Sequence, residues 1–166
     1  GSNVCFKKFV NSAQFYGADV LVLGGDLTGK AVIPIAEQQD GTFLAFQHGE
    51  SVQIKGKSEL DDFVKRQGNI GFYPAVMSES EYQSLRSDAG AQATLFKRLV
   101  LEQVREWAAF AEGKLKGTDI PLVTLPGNDD FREIDEILTQ AAQFDFHEMQ
   151  VCEFKGGYQM LYCGGS

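Results

Sequence analysis

Apolar runs that stop abruptly at glycines and polar residues are the clearest pattern along the chain. One run, 18–23, is followed by two glycines and Asp26, and a second, 120–125, is followed by the Gly-Asn-Asp-Asp segment 127–130. Continuous apolar runs are typical of buried parallel strands, and ligands of α/β proteins collect at the carboxyl ends of such strands. We therefore expect two buried strands that offer polar groups at the same edge of a sheet.

Helical spacing of apolar residues predicts the elements that cover this sheet. The predicted helices are 3–16, with Asn3 as N-cap and Gly17 at its end; 59–67, capped by Ser58; a further helix starting at Ser78 or Ser80; 91–112, closed by Gly113; and 131–142, capped by Asp130. Alternation of helices and strands in this manner is typical of the α/β class.

In the segment 31–57 the apolar residues form short runs that are separated by turn residues. Asp40-Gly41 lies between apolar runs there, which is a strong hairpin signal, and we predict a three-stranded antiparallel meander inserted beside the main sheet. The runs 148–154 and 158–163, around two glycines, predict a second hairpin. An exposed edge strand of the meander could pair with the same strand of a second copy and form a homodimer.

Composition places the chain among ordinary globular proteins. Its 166 residues suit a single domain, 1–166, that buries roughly 70% of the surface of the unfolded chain. With 43% hydrophobic and 23% charged residues, no apolar run long enough to span a membrane and no signal-peptide pattern, we expect a cytoplasmic protein without a membrane partner. The three cysteines have no metal-binding spacing and are expected to be free thiols.

The net charge of −8 changes the list of expected partners. Strong nucleic-acid binding depends on basic surface, so we do not expect it here. A small phosphoester remains compatible with the charge, because bound metal ions reverse the sign of a local field.

A phosphate-binding loop is one interpretation of the segment after the first strand. Gly24-x-x-x-x-Gly29-Lys30 has the spacing of a P-loop. However, Ala31 has no hydroxyl group for magnesium, and the residues that follow it look extended, where a P-loop needs a helix N-terminus.

Metal binding is the other interpretation. The Asp26 carboxylate is suited to bridging two hard cations, the glycines before it allow close approach, and Asn128 adds a neutral oxygen ligand.

Two short motifs carry a resemblance to a known family. Gly25-Asp26 and the segment 127–130 resemble the second and third motifs, Gly-Asp and Gly-Asn-His-Asp/Glu, of the calcineurin-like metallophosphoesterase superfamily. The resemblance implies an α/β/β/α sandwich of two sheets with helices outside. It also implies two divalent metal ions (Mn, Fe, Zn or Ni), with Asp26 bridging both and Asn128 binding the second. Asp129 stands where the family has a histidine that contacts the phosphoryl group and assists the leaving group, and it is the candidate catalytic residue.

The other motifs of that family are not in this sequence. Its Asp-x-His motif would fall before residue 1 and its last histidine motifs after Ser166, whereas this chain has only His48 and His147. We therefore expect the chain to be an internal piece of a longer protein, incomplete at both ends. His48 is expected to be solvated and His147 to be structural.

The resemblance implies hydrolysis of a phosphomonoester or phosphodiester, on a small-molecule or nucleotide substrate, by a water activated between two metals. A carboxylate at Asp129 repels phosphate unless it is protonated or neutralised by metal. The alternatives are a P-loop nucleotide-binding hydrolase and a noncatalytic binding module on a degenerate phosphoesterase fold, with 31–57 as its contact surface.

Overall fold

The computed structural model describes residues 1–47 and 49–164 and shows a mixed α/β protein, which confirms the predicted class. The helices are α1 (Asn3–Tyr16), α2 (Gly56–Asn69), α3 (Glu79–Ser87), α4 (Ala89–Leu115) and α5 (Ile134–Gln140). The strands are β1 (Leu21–Gly24), β2 (Val32–Glu37), β3 (Phe43–Gln47), β4 (Glu50–Ile54), β5 (Tyr73–Ser78), β6 (Leu122–Leu125), β7 (Phe144–Asp145), β8 (Gln150–Phe154) and β9 (Tyr158–Tyr162). His48 lies outside the described residues.

The described chain divides into two compact units. The first unit comprises Gly1–Val4 and Gly29–Val100, and the second comprises Cys5–Thr28 and the chain from Leu101 on. In neither unit does a described helix have the length and apolar character needed to cross a membrane.

The second unit is built on a parallel sheet in the order β1-β6-β7. One face of this sheet is covered by α1 and by the second half of α4, where the Phe6 and Trp107 rings stack with centroids 4.5 Å apart. The buried residues of this core are Phe6, Val10, Ala13, Leu21, Trp107, Ala111, Leu115 and Leu122. Burial of each large apolar side chain contributes about 1.5–3 kcal/mol, so this core fixes the strands whose ends carry Asp26 and Asn128.

The strand β1 is shorter and more exposed than predicted. The expected strand at 18–23 begins only at Leu21, because the Ala18 N–H still bonds to the Ala13 carbonyl at the end of α1. Leu21 and Leu23 pack against the core, but Val22 points to the opposite face and is 55% exposed. The prediction of a fully buried strand is therefore wrong: among the described residues only one face of β1 is covered.

The first unit contains a mixed sheet in the order β4-β3-β2-β5. The antiparallel pairs β2–β3 and β3–β4 confirm the meander predicted from Asp40-Gly41, and β5 adds to β2 in parallel. The helix α2 packs on one face, where alternate strand residues are buried. The core residues of this unit are Ile33, Ile35, Ala45, Ile54, Leu60 and Phe63.

Several predicted element boundaries are confirmed. The helix α1 ends at Gly17, which has φ +59°, and Ser78 caps α3 in a capping box with Glu81. The predicted closing hairpin is present as β8 and β9, joined through Gly156 and Gly157, which both have φ +78°.

Other predicted boundaries are wrong for identifiable reasons. Ser58 lies inside α2, which begins at Gly56, and the carboxylate of Glu59 accepts the Lys55 N–H at 2.7 Å. Gly113 does not end α4, because Ala111 and Leu115 on either side of it are buried in the core and hold the helix through the glycine. The chain turns instead at Gly117, with φ +78°.

Candidate functional site

The ends of β1 and β6 lie side by side in the second unit. The parallel register pairs Gly24 with Leu125, and the Gly25 N–H donates to the Leu125 carbonyl at 2.7 Å. The next residues along the two strands, Asp26 and Gly127, are in direct contact. A Cβ at position 127 would overlap both the Asp26 carboxylate and its backbone nitrogen, so only glycine allows this approach.

Asp26 adopts a backbone conformation that residues other than glycine rarely adopt. Its φ is +42°, and it follows Gly25 at φ +81°. Asp26 is exposed, and its carboxylate accepts no hydrogen bond from any described residue. Aspartate tolerates the left-handed region better than most residues, but the conformation still stores strain of the kind that clusters at functional sites.

Asn128 and Asp129 continue the same edge of the sheet, and both are exposed. The Asn128 Nδ2 donates to Asp129 Oδ1 at 3.1 Å. This bond uses the amide nitrogen and leaves the Asn128 carboxamide oxygen without a partner among the described residues. Asp129 therefore orients the oxygen of Asn128.

Asp130 has a role that the sequence did not reveal. Its carboxylate accepts the backbone N–H groups of Leu27 at 2.9 Å, Thr28 at 2.8 Å and Gly127 at 2.8 Å. It thus ties the loop after β1 to the loop after β6. The predicted helix cap is wrong, because this carboxylate is engaged elsewhere and α5 begins only at Ile134, without a side-chain cap at Glu133.

The donor atoms at this edge of the sheet are oxygens, the element that hard divalent cations prefer as a ligand. The Asp26 carboxylate and the Asn128 carboxamide supply oxygen ligands from neighbouring strand ends, and oxygen is the donor that Mg²⁺, Ca²⁺ and Mn²⁺ prefer. The described residues contain no group of three or more His, Cys, Asp or Glu side chains that could hold a metal by themselves. Within the described chain, Asp26 and Asn128 thus supply two oxygen ligands at this edge of the sheet.

A second polar network, centred on Asp145, lies at the end of β7, the neighbour of β6. Tyr162 donates its hydroxyl to Asp145 Oδ2 at 2.7 Å, and His147 Nε2 lies 2.9 Å from Asp145 Oδ1. Burial, followed by the hydrogen bond to Asp145, raises the pKa of the Tyr162 hydroxyl well above its usual range. Asp145 thus holds His147 in place. The hydrogen bond from Tyr162 to Asp145 could not be predicted from the spacing of residues in the sequence.

Glu148 brings a further carboxylate close to the end of β6. It accepts the Gly164 N–H at 3.1 and 3.2 Å, and a Cβ at position 164 would meet both Glu148 and the Pro126 carbonyl. Asp135, at the start of α5, has its pKa raised by burial and, next, by the negative charge of Glu148. Carboxylates therefore accumulate along this edge from three separate parts of the chain.

The P-loop interpretation does not fit the geometry of the loop after β1. The backbone N–H groups that would cradle a phosphate are engaged: Leu27 and Thr28 bond to Asp130, Gly29 to the Tyr73 hydroxyl and Lys30 to the Gly71 carbonyl. The strand β2 follows the loop, so the helix N-terminus that a P-loop requires is missing there.

The fold and the site thus define an α/β protein with oxygen donors gathered at the carboxyl ends of parallel strands. No protein-family model matches the chain, and neither does any curated protein or solved structure.

Proposed function

We propose that this chain is part of a metal-dependent phosphoesterase in which Asp26 and Asn128 are metal ligands. The observation that carries the proposal is the state of Asp26: it is held at φ +42° against Gly127, with its carboxylate exposed and free of described hydrogen bonds. The Asn128 oxygen, one residue beyond that contact, is also without a described partner. The two-sheet sandwich of the metallophosphoesterase superfamily belongs to the same proposal.

Divalent cations at such a site would neutralise charge on a phosphoester and lower the pKa of a water molecule that attacks it. The chain's own residues would provide position and orientation. Asp26 and Asn128 would hold the cations, and Asp130 would fix the distance between their loops through its bonds to the backbone N–H groups. Asp129 would orient Asn128 and position the leaving group or a water molecule bound to the phosphate.

The test is manganese-dependent hydrolysis of bis(4-nitrophenyl) phosphate by the protein made from its complete coding sequence. We expect Asp26→Asn to lower kcat/KM by a factor of about 100 or more, because the amide removes the negative charge that holds the cation. Asp62→Asn, at an exposed position on α2, is the matched control and should leave kcat/KM unchanged. Equal activity in the wild type and Asp26→Asn would remove the proposal and favour a noncatalytic binding module.

A further inference from the structure

An apolar groove lies within the first unit, on the face of the β4-β3-β2-β5 sheet opposite α2. Ile33 and Ile35 of β2 are buried against α2, so the alternating residues Val32 and Pro34 point to the other face. There they line a groove of about 520 Å³ together with side chains from β3, α3 and the start of α4. This volume lies within the range of small-molecule sites, about 300–1,000 Å³.

An aromatic pair forms one wall of the groove. The rings of Phe46 on β3 and Tyr82 on α3 are stacked, with centroids 4.2 Å apart and an interplanar angle of 5°. Tyr82 is only 8% exposed, which fixes the pair, while Phe46 is half-buried. Phe96 of α4 also lines the groove and packs edge-on against Tyr73. Such a rigid aromatic surface suits a planar apolar group.

The charge of the groove is opposite to that of the chain. The protein has a net charge of −8, yet none of the described residues that line the groove is acidic, and Lys30 and Arg86 both line it. The Arg86 guanidinium makes no ion pair or hydrogen bond with another described residue, and the Lys30 ammonium lies 5.6 Å from the centre of the Phe72 ring. The groove therefore combines an apolar wall with cationic groups that are not neutralised by described carboxylates.

We propose that this groove binds a small aromatic anion, with its ring system against Phe46 and Tyr82 and its anionic group at Arg86 and Lys30. The anionic group is either a carboxylate or a phosphate-type group, which includes phosphonates. A guanidinium pairs with both classes through two parallel hydrogen bonds. The site lies within the first unit and does not depend on the metal site proposed in the second.

The binding test uses three probes of the same ring system: 2-naphthoate, 2-naphthylphosphonate and the neutral 2-naphthamide. Each is titrated against 8-anilinonaphthalene-1-sulfonate bound to the full chain, and displacement is followed by fluorescence. We expect at least one of the anions to displace the dye at a concentration about tenfold or more lower than 2-naphthamide. The ratio between the two anions shows whether a carboxylate or a phosphonate is preferred, and equal potency of all three probes would overturn the proposal.

Substitutions locate the site. Arg86→Gln and Lys30→Gln should each weaken binding of the preferred anion about fivefold or more and leave 2-naphthamide binding unchanged. Lys65→Gln, at an exposed position on α2, is the matched control and should change neither. An Arg86→Gln variant that binds the preferred anion as the wild type does would contradict the proposal.

A steric variant makes the test independent of charge. Ala93 lines the groove from the exposed surface of α4, so Ala93→Trp should fill the groove without disturbing the core and abolish displacement by every probe. The melting temperature, measured by circular dichroism, checks that this variant is folded, and a folded Ala93→Trp that binds normally would contradict the proposal. A dimer in sedimentation velocity that Ala93→Trp dissociates would identify a second copy of the chain as the occupant and would also overturn it.

Discussion

Two aspartates in the same pair of loops are used in opposite ways. The Asp130 carboxylate accepts three backbone N–H groups, whereas the Asp26 carboxylate accepts no bond from the described chain although its backbone is strained. A side chain held in a costly conformation without an internal partner is typical of a residue kept for binding. Asp130, in contrast, ties the loop after β1 to the loop after β6.

Removal of the Asp130 carboxylate should destabilise the protein. Asp130→Ala leaves the N–H groups of Leu27, Thr28 and Gly127 without their acceptor. A hydrogen bond to a charged group makes a net contribution of about 1.5–3 kcal/mol, and the loss is smaller where water reaches the N–H group in the variant. We expect a loss of about 2–4 kcal/mol in the free energy of unfolding, measured by urea denaturation. Asp129→Ala, the exposed neighbour, should change it by less than about 0.5 kcal/mol. Similar stabilities of the two variants would show that Asp130 does not hold the loops.

Asp26→Gly should separate stability from binding. Glycine adopts φ +42° without the penalty that a Cβ incurs, so the variant should be more stable than Asp26→Ala by about 1 kcal/mol. Neither variant retains the carboxylate, and both should lose metal binding. Urea denaturation in the absence of metal compares the two, and a less stable Asp26→Gly would mean that the backbone at this position is not strained.

Among the helices and strands, boundaries set by neighbouring residues could be predicted from the sequence, whereas features set by contacts between distant segments could not. The end of α1 at Gly17 and the capping box of Ser78 follow from residues within one helical turn. The predicted helix end at Gly113 is wrong because buried residues on both sides of the glycine override its low helix propensity. The parallel pairing of β5 with β2 joins segments that the sequence shows only as two unrelated extended runs.

The candidate site likewise contains features that local patterns predict and features that depend on contacts between distant segments. The positions of Asp26 and Asn128 at neighbouring strand ends could be predicted, because apolar runs followed by polar residues mark strand ends locally. The bonds of Asp130 to residues 27 and 28 span about a hundred positions, and those of Asp145 to Tyr162 depend on the placement of β7 and β9. No local pattern encodes either contact.

The burial of Tyr162 of β9, and next its bond to Asp145 of β7, raises the pKa of its hydroxyl and predicts a dependence of stability on alkaline pH. The pKa of Tyr162 is raised in the folded state, so the folded protein binds the proton more tightly than the unfolded chain, whose tyrosines titrate near pH 10. The stabilisation is complete below about pH 10 and is lost as pH rises above it, by at most about 1.4 kcal/mol per pH unit. Urea denaturation of the wild type and Tyr162→Phe should therefore give curves that converge between about pH 10 and 11.5. A constant difference over this interval would contradict the assignment.

At the scale of the whole molecule, each compact unit carries its own candidate function. The second unit gathers carboxylate and carboxamide oxygens at the ends of β1 and β6, and the first unit gathers cationic and aromatic side chains around a groove. The two proposed sites therefore differ in the charge of the ligand they would bind: the site in the second unit would bind cations, and the groove in the first unit would bind an anion although the net charge of the protein is −8. Substitutions in one site should leave ligand binding at the other unchanged, as measured by manganese and dye titrations of Asp26→Asn and Arg86→Gln.

Metal binding by Asp26 and Asn128 is measured directly by the binding isotherm of Mn²⁺, followed by electron paramagnetic resonance of the free ion. The protein made from the complete coding sequence is compared with Asp26→Asn and with the control Asp62→Asn. We predict that Asp26→Asn raises the dissociation constant about 100-fold or more, or abolishes one binding step, and that Asp62→Asn matches the wild type. Identical isotherms for the wild type and Asp26→Asn would show that Asp26 does not bind the metal.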